Sequence, residues 1–174
     1  MKRIVGLTLV MVFLLVEGAI IVVNSKAGES EPLAVVTARD RCPVCGMFVS
    51  KYPTWVAQIR LSDDRVEMFD GPKDMLAYYM SPKDFGAGYA TVGDVVVRDY
   101  YSQEWIDGER AFYVMGSDVY GPMGNEFVPF ETMEAAKNFA KDHRGKRVLL
   151  FDEIDNELVQ SIRKGHKMMG GMKK

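Results

Sequence analysis

The chain has 174 residues, a net charge of −2 from 22 basic and 24 acidic side chains, and 48% apolar residues. That is enough apolar material for one domain core, and the evenly mixed charge leaves no basic footprint for nucleic acid. With only two Cys and two His beside 12 Met, a disulfide-dense fold, a four-Cys zinc or iron–sulfur site and a three-His metal site are excluded within one chain.

Lys2 and Arg3 precede Ile4–Val23, an apolar run interrupted only by Gly6, Thr8, Glu17 and Gly18. Cations followed by apolar residues are the order of an export signal, and the run approaches the ~20 residues that span a bilayer. Glu17 opposes insertion, since a carboxylate in hydrocarbon costs ~2–3 kcal/mol. Ser25-Lys26-Ala27 is a poor cleavage site. Residues 1–27 therefore read as an uncleaved signal-anchor, with the rest of the chain outside the cytoplasm. Residues 28–38, mostly polar with Pro32, read as a linker.

The folded region is expected over residues 39–160. Trp55, Ala57, Ile59 and Leu61 alternate as one face of a strand, Ser62-Asp63-Asp64 is turn chemistry, and Val66–Phe69 resumes as a strand, so the pair predicts a hairpin. Asp70-Gly71-Pro72 reads as a helix start, an acceptor side chain ahead of a first-turn proline. Met75, Leu76, Tyr79 and Met80 follow at helical spacing until Ser81-Pro82. Val95–Tyr101 and Ala111–Met115 are further strands. Phe127–Phe130 is a short strand before a helix capped by Thr132, with Met133, Ala136, Phe139 and Ala140 as its apolar face. His143 sits in its last turn as a helix-end cation, Gly145 ends it, and Val148–Phe151 returns as a strand. The strand–helix order thus recurs. The fold class is α+β, with duplicated β–β–α–β units in one small domain behind the N-terminal anchor. A short helical stretch from Glu157 leads to a Met-containing flexible tail, residues 161–174.

Both cysteines fall in Arg41-Cys42-Pro43-Val44-Cys45-Gly46-Met47. Proline pre-sets the turn and glycine keeps the backbone clear, so the two sulfurs can share one spot. A structural disulfide would close a very short loop and constrain the unfolded chain little. A redox dithiol normally sits at a helix N-terminus, whereas Phe48–Pro53 is β-leaning. Half of a zinc knuckle lacks its other half, for which His143 and His166 are poor substitutes. The fourth reading adds thioethers to thiolates, a set that selects Cu(I).

Met47 follows Cys45 by two residues and can turn to the same place. Met123, in Gly121-Pro122-Met123-Gly124, is displayed on a turn where packing does not explain it. Met115 suits a core position or a ligand equally. Met68, Met75, Met80 and Met133 read as core gap-fillers. The stretch His166–Met172 combines one imidazole with three thioethers and suits weak copper gathering or a disordered end. No Ser nucleophile elbow, phosphate-binding Gly loop or helical His pair occurs, so no enzyme activity is expected.

Cys42-Pro-Val-Cys45-Gly-Met47, Met68-Phe69-Asp70-Gly71 and Met115-Gly-Ser-Asp-Val-Tyr-Gly121-Pro-Met123-Gly, with Pro129-Phe130 and the Ala- and Phe-rich helix after it, resemble the NosL family. The resemblance covers about Arg39 to Ile154. It implies a membrane-attached, extracytoplasmic Cu(I) chaperone that serves nitrous-oxide reductase maturation in denitrification, through a membrane assembly complex with an ABC transporter and a periplasmic partner. It also implies a small α+β domain of two similar β–β–α–β units. By position, Cys45 and Met47 fall on the family's Cys-Gly-Met motif, Met123 on its later Met, and Cys42 on a common form of the motif. Typical members are lipoproteins with a Cys just after the signal. No Cys precedes Cys42 here, so attachment through Ile4–Val23 is expected instead.

The combined expectation is a Cu(I) site of Cys42, Cys45 and Met47, completed by Met115 or Met123. The competing expectation is an extracytoplasmic thiol–disulfide oxidoreductase using Cys42 and Cys45, and a structural zinc knuckle is a third.

Overall fold

The computed structural model describes residues 30–170, with side chains described as far as Lys164. The expected signal-anchor lies outside the described residues. Among those described, no helix is long and apolar enough to cross a membrane.

Strands β1 (Ala57–Leu61) and β2 (Val66–Phe69) form the expected antiparallel hairpin, pairing Ala57 with Phe69 and Arg60 with Val66. Its turn places Asp64 at φ 65°, a conformation that Asp tolerates better than most residues. Helix α1 (Pro72–Met80) follows, and β3 (Val92–Arg98) then returns antiparallel to the free side of β1. A short β4 (Trp105–Asp107), which periodicity does not reveal, adds to the edge, giving the order β2-β1-β3-β4.

The second sheet is built from β5 (Phe112–Gly121), β6 (Gly124–Phe130) and β7 (Arg147–Leu150), in the order β6-β5-β7, with helix α2 (Met133–Asp142) between its last two strands. The β5–β6 hairpin is longer than expected and turns at Pro122-Met123. In both sheets the first strand is central and antiparallel to its neighbours. Helix α3 (Asn156–Gly170) is the last described element. The larger core is shared between the first sheet, α1 and α3. A smaller one, centred on Val128, Phe130 and Phe139, lies under α2.

Three expectations change. Residues 30–36, expected within a linker, are tied to the first sheet. The Ser30 N–H donates to the Trp105 carbonyl at 2.8 Å. Gln58 on β1, fully buried, accepts from the Leu33 and Ala34 N–H groups at 2.7 and 3.2 Å and donates to the Ala34 carbonyl at 2.7 Å. Its amide thus serves the segment as a neighbouring strand would, which is why a polar residue is tolerated in the interior. Within the expected flexible tail, the described residues from 161 to 170 instead continue α3, whose Val159 and Ile162 enter the core. The metal-gathering reading of His166–Met172 falls outside the described side chains. Finally, Tyr78 rather than Tyr79 is the fully buried tyrosine of α1, since α1 is enclosed on several sides. Its ring meets Phe69 edge-on at 5.3 Å.

Candidate metal centre

The Cys42–Met47 segment is a closed loop. The Gly46 N–H donates to the Cys42 carbonyl at 2.8 Å, and the Cys42 N–H donates to the Met47 carbonyl at 2.9 Å. Gly46 sits at φ +77°, where a side chain would be strained. Arg41 holds the loop from outside, donating to the Gly46 carbonyl at 2.8 Å with its guanidinium over the Phe48 ring at 3.8 Å. The loop leads into a single 3-10 turn, Val49–Lys51, and not into an α-helix.

This geometry turns both sulfurs, which are free thiols, toward the start of α1. Cys45 Sγ donates to Asp70 Oδ1 at 3.2 Å, and Cys42 Sγ to Asp74 Oδ2 at 3.7 Å. Each thiol therefore has its own carboxylate. The two sulfurs and two carboxylate oxygens all lie within 4.8 Å of one another. Cys42, Asp70 and Asp74 are buried, and Cys45 is half-buried. Arg163 of α3 approaches the other oxygen of Asp74, Nε to Oδ1, at 3.6 Å, while Asp70 Oδ2 is buried without a partner.

The electrostatics follow from that packing. The Cys42 thiol is pushed well up from its ordinary value, first by the neighbouring Cys45 thiol, then by burial and by the adjacent Asp70 and Asp74 charges. Asp74 is raised too, chiefly by burial. A redox C-x-x-C needs a stabilised thiolate at a helix N-terminus. Neither the 3-10 turn nor the Cys42 environment supplies one.

Cys45 opens onto a cleft of about 260 Å³ that it shares with Asp74, Lys73, Met123 and the α3 residues Gln160, Arg163 and Lys164. Met123 reaches it because the β5–β6 turn is clamped onto α1. Lys73 Nζ donates to the Met123 and Asn125 carbonyls at 2.9 and 2.8 Å. In return, buried Glu126 Oε1 accepts the Lys73 N–H and, at 3.0 Å, the Phe127 N–H. Burial pushes the Glu126 carboxyl up to about 8, with the Lys73 ammonium pulling the other way. Gly71 and Gly121 make the approach possible. A Cβ on either would lie 2.6 or 2.8 Å from Glu126 Oε2, closer than packing permits.

The five residues expected from sequence are thus placed as follows. Cys42 and Cys45 converge, and Met123 lines the same cleft as Cys45. Met47 is half-buried at the close of the loop, and it does not line the cleft. Met115 is not at a strand end but inside β5, opposite Phe127 and Arg147, half-buried against the larger core. His143 caps α2, with Nδ1 3.2 Å from Asp118 and its ring stacked on Phe139 at 4.5 Å. Asp70 and Asp74 are the additions that sequence reasoning missed. Asp70 was expected to cap α1, but the N-cap is Gly71 and the Asp70 carboxylate faces Cys45. The available signal was an Asp pair four residues apart across a helix start, a common pattern with no metal specificity of its own.

The sequence model of the NosL family matches residues 32–159. This chain belongs to the NosL family. A relative named copper-binding lipoprotein NosL, from Stutzerimonas stutzeri, is 31% identical over 138 residues, 75% of this chain and 69% of the relative. A second protein of that name, from Achromobacter cycloclastes, is 30% identical over 137 residues, 70% of this chain and 67% of the relative. The crystal structure of the copper chaperone NosL from Shewanella denitrificans aligns with a TM-score of 0.63 at 22% identity, covering 73% of this chain and 99% of that one. That likeness shows the NosL fold for the α+β domain, built from two sheets and three helices.

Proposed function

We propose that this chain is an extracytoplasmic Cu(I) metallochaperone, tethered by Ile4–Val23, that supplies copper for maturation of a cuproenzyme. The client is nitrous-oxide reductase, reached through a membrane assembly complex with an ABC transporter and a periplasmic partner. One observation carries the reading: two free thiols converge, and one of them, Cys45, lines a cleft that the Met123 thioether also lines. Membership in a family whose relatives are named copper-binding supports it. The recurrence of one strand–helix order in the two sheets supports reading them as a duplicated unit, of which one half provides the thiols and the other Met123.

Copper is the cargo. Cys42 and Cys45 bind it as thiolates, releasing their protons, and Met123 supplies a weaker third sulfur. Cu(I) accepts two, three or four soft ligands. A partner's sulfur can therefore enter from the open cleft before the chaperone's own ligands leave, and copper passes without ever being free. Met47 is a reserve thioether on the same loop, and Met115 is assigned to the core.

The test is an anaerobic Cu(I) titration of the reduced chain against a competing chelator. One Cu(I) per monomer is expected, with tight binding lost in Cys45→Ser and weakened in Met123→Leu, and with Met115→Leu unchanged. Equal titrations for wild type, Cys45→Ser and Met123→Leu would overturn the site.

A further inference from the structure

A second opening in the molecule shares no lining residue with the metal cleft. It is a groove of about 330 Å³, and its lining includes Val35, Ser50, Pro53, Val56, Trp105 and Arg98. That volume is at the low end for ligand pockets. The lining is apolar apart from Ser50 and Arg98, and Val35 stands 82% exposed. The Arg98 guanidinium lies over the Trp105 ring at 4.1 Å. Its Nη1 donates to the Gln103 carbonyl at 2.7 Å, its Nη2 donates to nothing among the described residues, and its Nε is buried without a partner. Arg60, Arg65, Arg144 and Arg163 each reach a carboxylate, whereas Arg98 reaches none among the described residues. Other arginines without a carboxylate, such as Arg39 and Arg110, are exposed to water, while Arg98 is half-buried. A partly desolvated guanidinium with spare donors beside an apolar groove is suited to an anion that has an apolar neighbour.

We propose that this groove docks an extended acidic peptide of a partner protein, with a carboxylate on Arg98 and an apolar side chain against Val35, Pro53 and Trp105. This goes beyond the copper reading and does not rest on it. The charge of the occupant follows from Arg98. Its being a peptide follows from the segment that carries Val35. Gln58 takes the Leu33 and Ala34 N–H groups and the Ala34 carbonyl, but the Val35 and Val36 N–H groups and the Val35 carbonyl have no partner among the described residues. A peptide backbone brings both donors and acceptors for such groups, and an acyl chain brings none. The carboxylate replaces water on the guanidinium, and the apolar neighbour covers Val35. Position gives the contact a use. Ser50 belongs to the 3-10 turn Val49–Lys51, into which the Cys42–Met47 loop runs. A partner held in the groove is therefore held against the turn that continues the thiol-bearing loop, by contacts that use none of the sulfurs.

The probe is a set of end-blocked six-residue peptides of alternating Val and Ser in which one Asp moves through the positions, beside the same set with Asn. They are titrated into the reduced full-length chain in phosphatidylcholine vesicles. Trp105 reports binding once the second tryptophan is removed by Trp55→Phe. At least one Asp peptide should change the Trp105 emission saturably, more weakly as salt is raised, and its Asn counterpart should not. Arg98→Gln should lower the affinity at least about tenfold, the scale of one charge-assisted hydrogen bond. Val35→Asp, at an exposed position that the fold does not need, should lower it several-fold by setting a like charge beside the ligand. Both variants should titrate with Cu(I) as wild type does, which keeps this test separate from that of the copper site. The proposal is overturned if no Asp peptide binds, if the Asn set binds equally well, or if both variants bind as wild type does. Binding of dodecanoate without binding of any peptide would make the groove an amphiphile site and overturn it too. Should Arg98→Gln lose its native circular dichroism, Val35→Asp decides alone.

Discussion

Helices α1 and α2 each follow the second strand of a hairpin, yet they begin differently. The first turn of α2 is capped locally: Thr132 accepts the Ala135 N–H at 3.2 Å. The N-cap of α1 is Gly71, which has no side chain to offer, and the first N–H of the helix, that of Lys73 after Pro72, is taken by Glu126 from 53 residues away. A carboxyl group at a helix N-terminus meets unpaired N–H groups and the positive end of the helix dipole wherever in the chain it originates. The local cap starts a helix and does nothing more. The distant cap also ties the β5–β6 turn, and with it Met123, to the helix that bears Asp74. Burial differs accordingly. Helix α2 buries Ala136 and Phe139, whereas α1 buries an unbroken run from Pro72 to Tyr78 that includes Lys73 and Asp74. Helix α2 is held by packing and a local cap, and α1 by deeper packing together with polar contacts that also build the site.

The largest effect is expected on the helix remote from the site. Phe139 is fully buried, with ring centroids 4.9 Å from both Tyr100 and Phe130. Phe139→Ala should destabilise the domain by about 3–5 kcal/mol in urea unfolding, with Cu(I) affinity of the folded fraction unchanged. A loss of affinity would show that the two halves are not separable. Glu126→Ala comes next. It leaves the Lys73 and Phe127 N–H groups buried without an acceptor, each costing ~1–3 kcal/mol, so about 3 kcal/mol is expected. Unlike Phe139→Ala, it should also weaken Cu(I) binding, because the Met123 turn loses one of its ties to α1 and keeps only the Lys73 ammonium contacts. Unchanged copper affinity would mean that Met123 is positioned by other contacts.

The same contrast explains what was legible in the sequence. Helix α2 was readable from Thr132 to Gly145 because its cap, apolar face and stop are local signals. The β1–β2 hairpin and the convergence of Cys42 with Cys45 were readable for the same reason. The local pattern failed at α1. Asp70 has the chemistry of a cap and sits one residue too early for it, and only the fold shows that it faces Cys45, 25 residues upstream. Gln58, Lys73 and Glu126 are polar residues within strand or helix patterns. Each is buried because its partner lies on a distant segment, and no periodicity encodes such a pairing. Helix α3 was cut short because its last turns are rich in Lys and Gly, while the packing of Ile162 and the Arg163–Asp74 pair are tertiary facts.

A pH titration sharpens the comparison with a smaller effect. The Glu126 carboxyl rises from an ordinary 4.5 to about 8, because burial disfavours its charged form. Between those values the folded chain keeps a proton that the unfolded chain has lost. Its contribution to stability is therefore full below pH 4.5, falls as the pH rises toward 8, and is level above that. The slope cannot exceed about 1.4 kcal/mol per pH unit for one group. Glu126→Gln keeps an oxygen for the two N–H donors and removes the titration. Melting temperatures from pH 5 to 8 should fall more steeply for wild type than for this variant. Parallel curves would mean that Glu126 is ionised in the folded protein and that the Lys73 ammonium compensates its burial.

The smallest effect belongs to the local cap. Thr132→Ala removes one acceptor at an exposed helix start, where water can replace it, and should cost about 1 kcal/mol. It should leave Cu(I) affinity and the slope of stability with pH as in wild type, because nothing else depends on that hydroxyl. Removing the equivalent contact at α1 cannot be so confined, since the acceptor there belongs to the strand leading away from the Met123 turn. The two cap deletions, compared by unfolding and by copper titration on the same samples, separate the role of holding a helix from that of holding a site. If Thr132→Ala weakened copper binding as much as Glu126→Ala does, the coupling assigned to the distant cap would be a general consequence of lost stability.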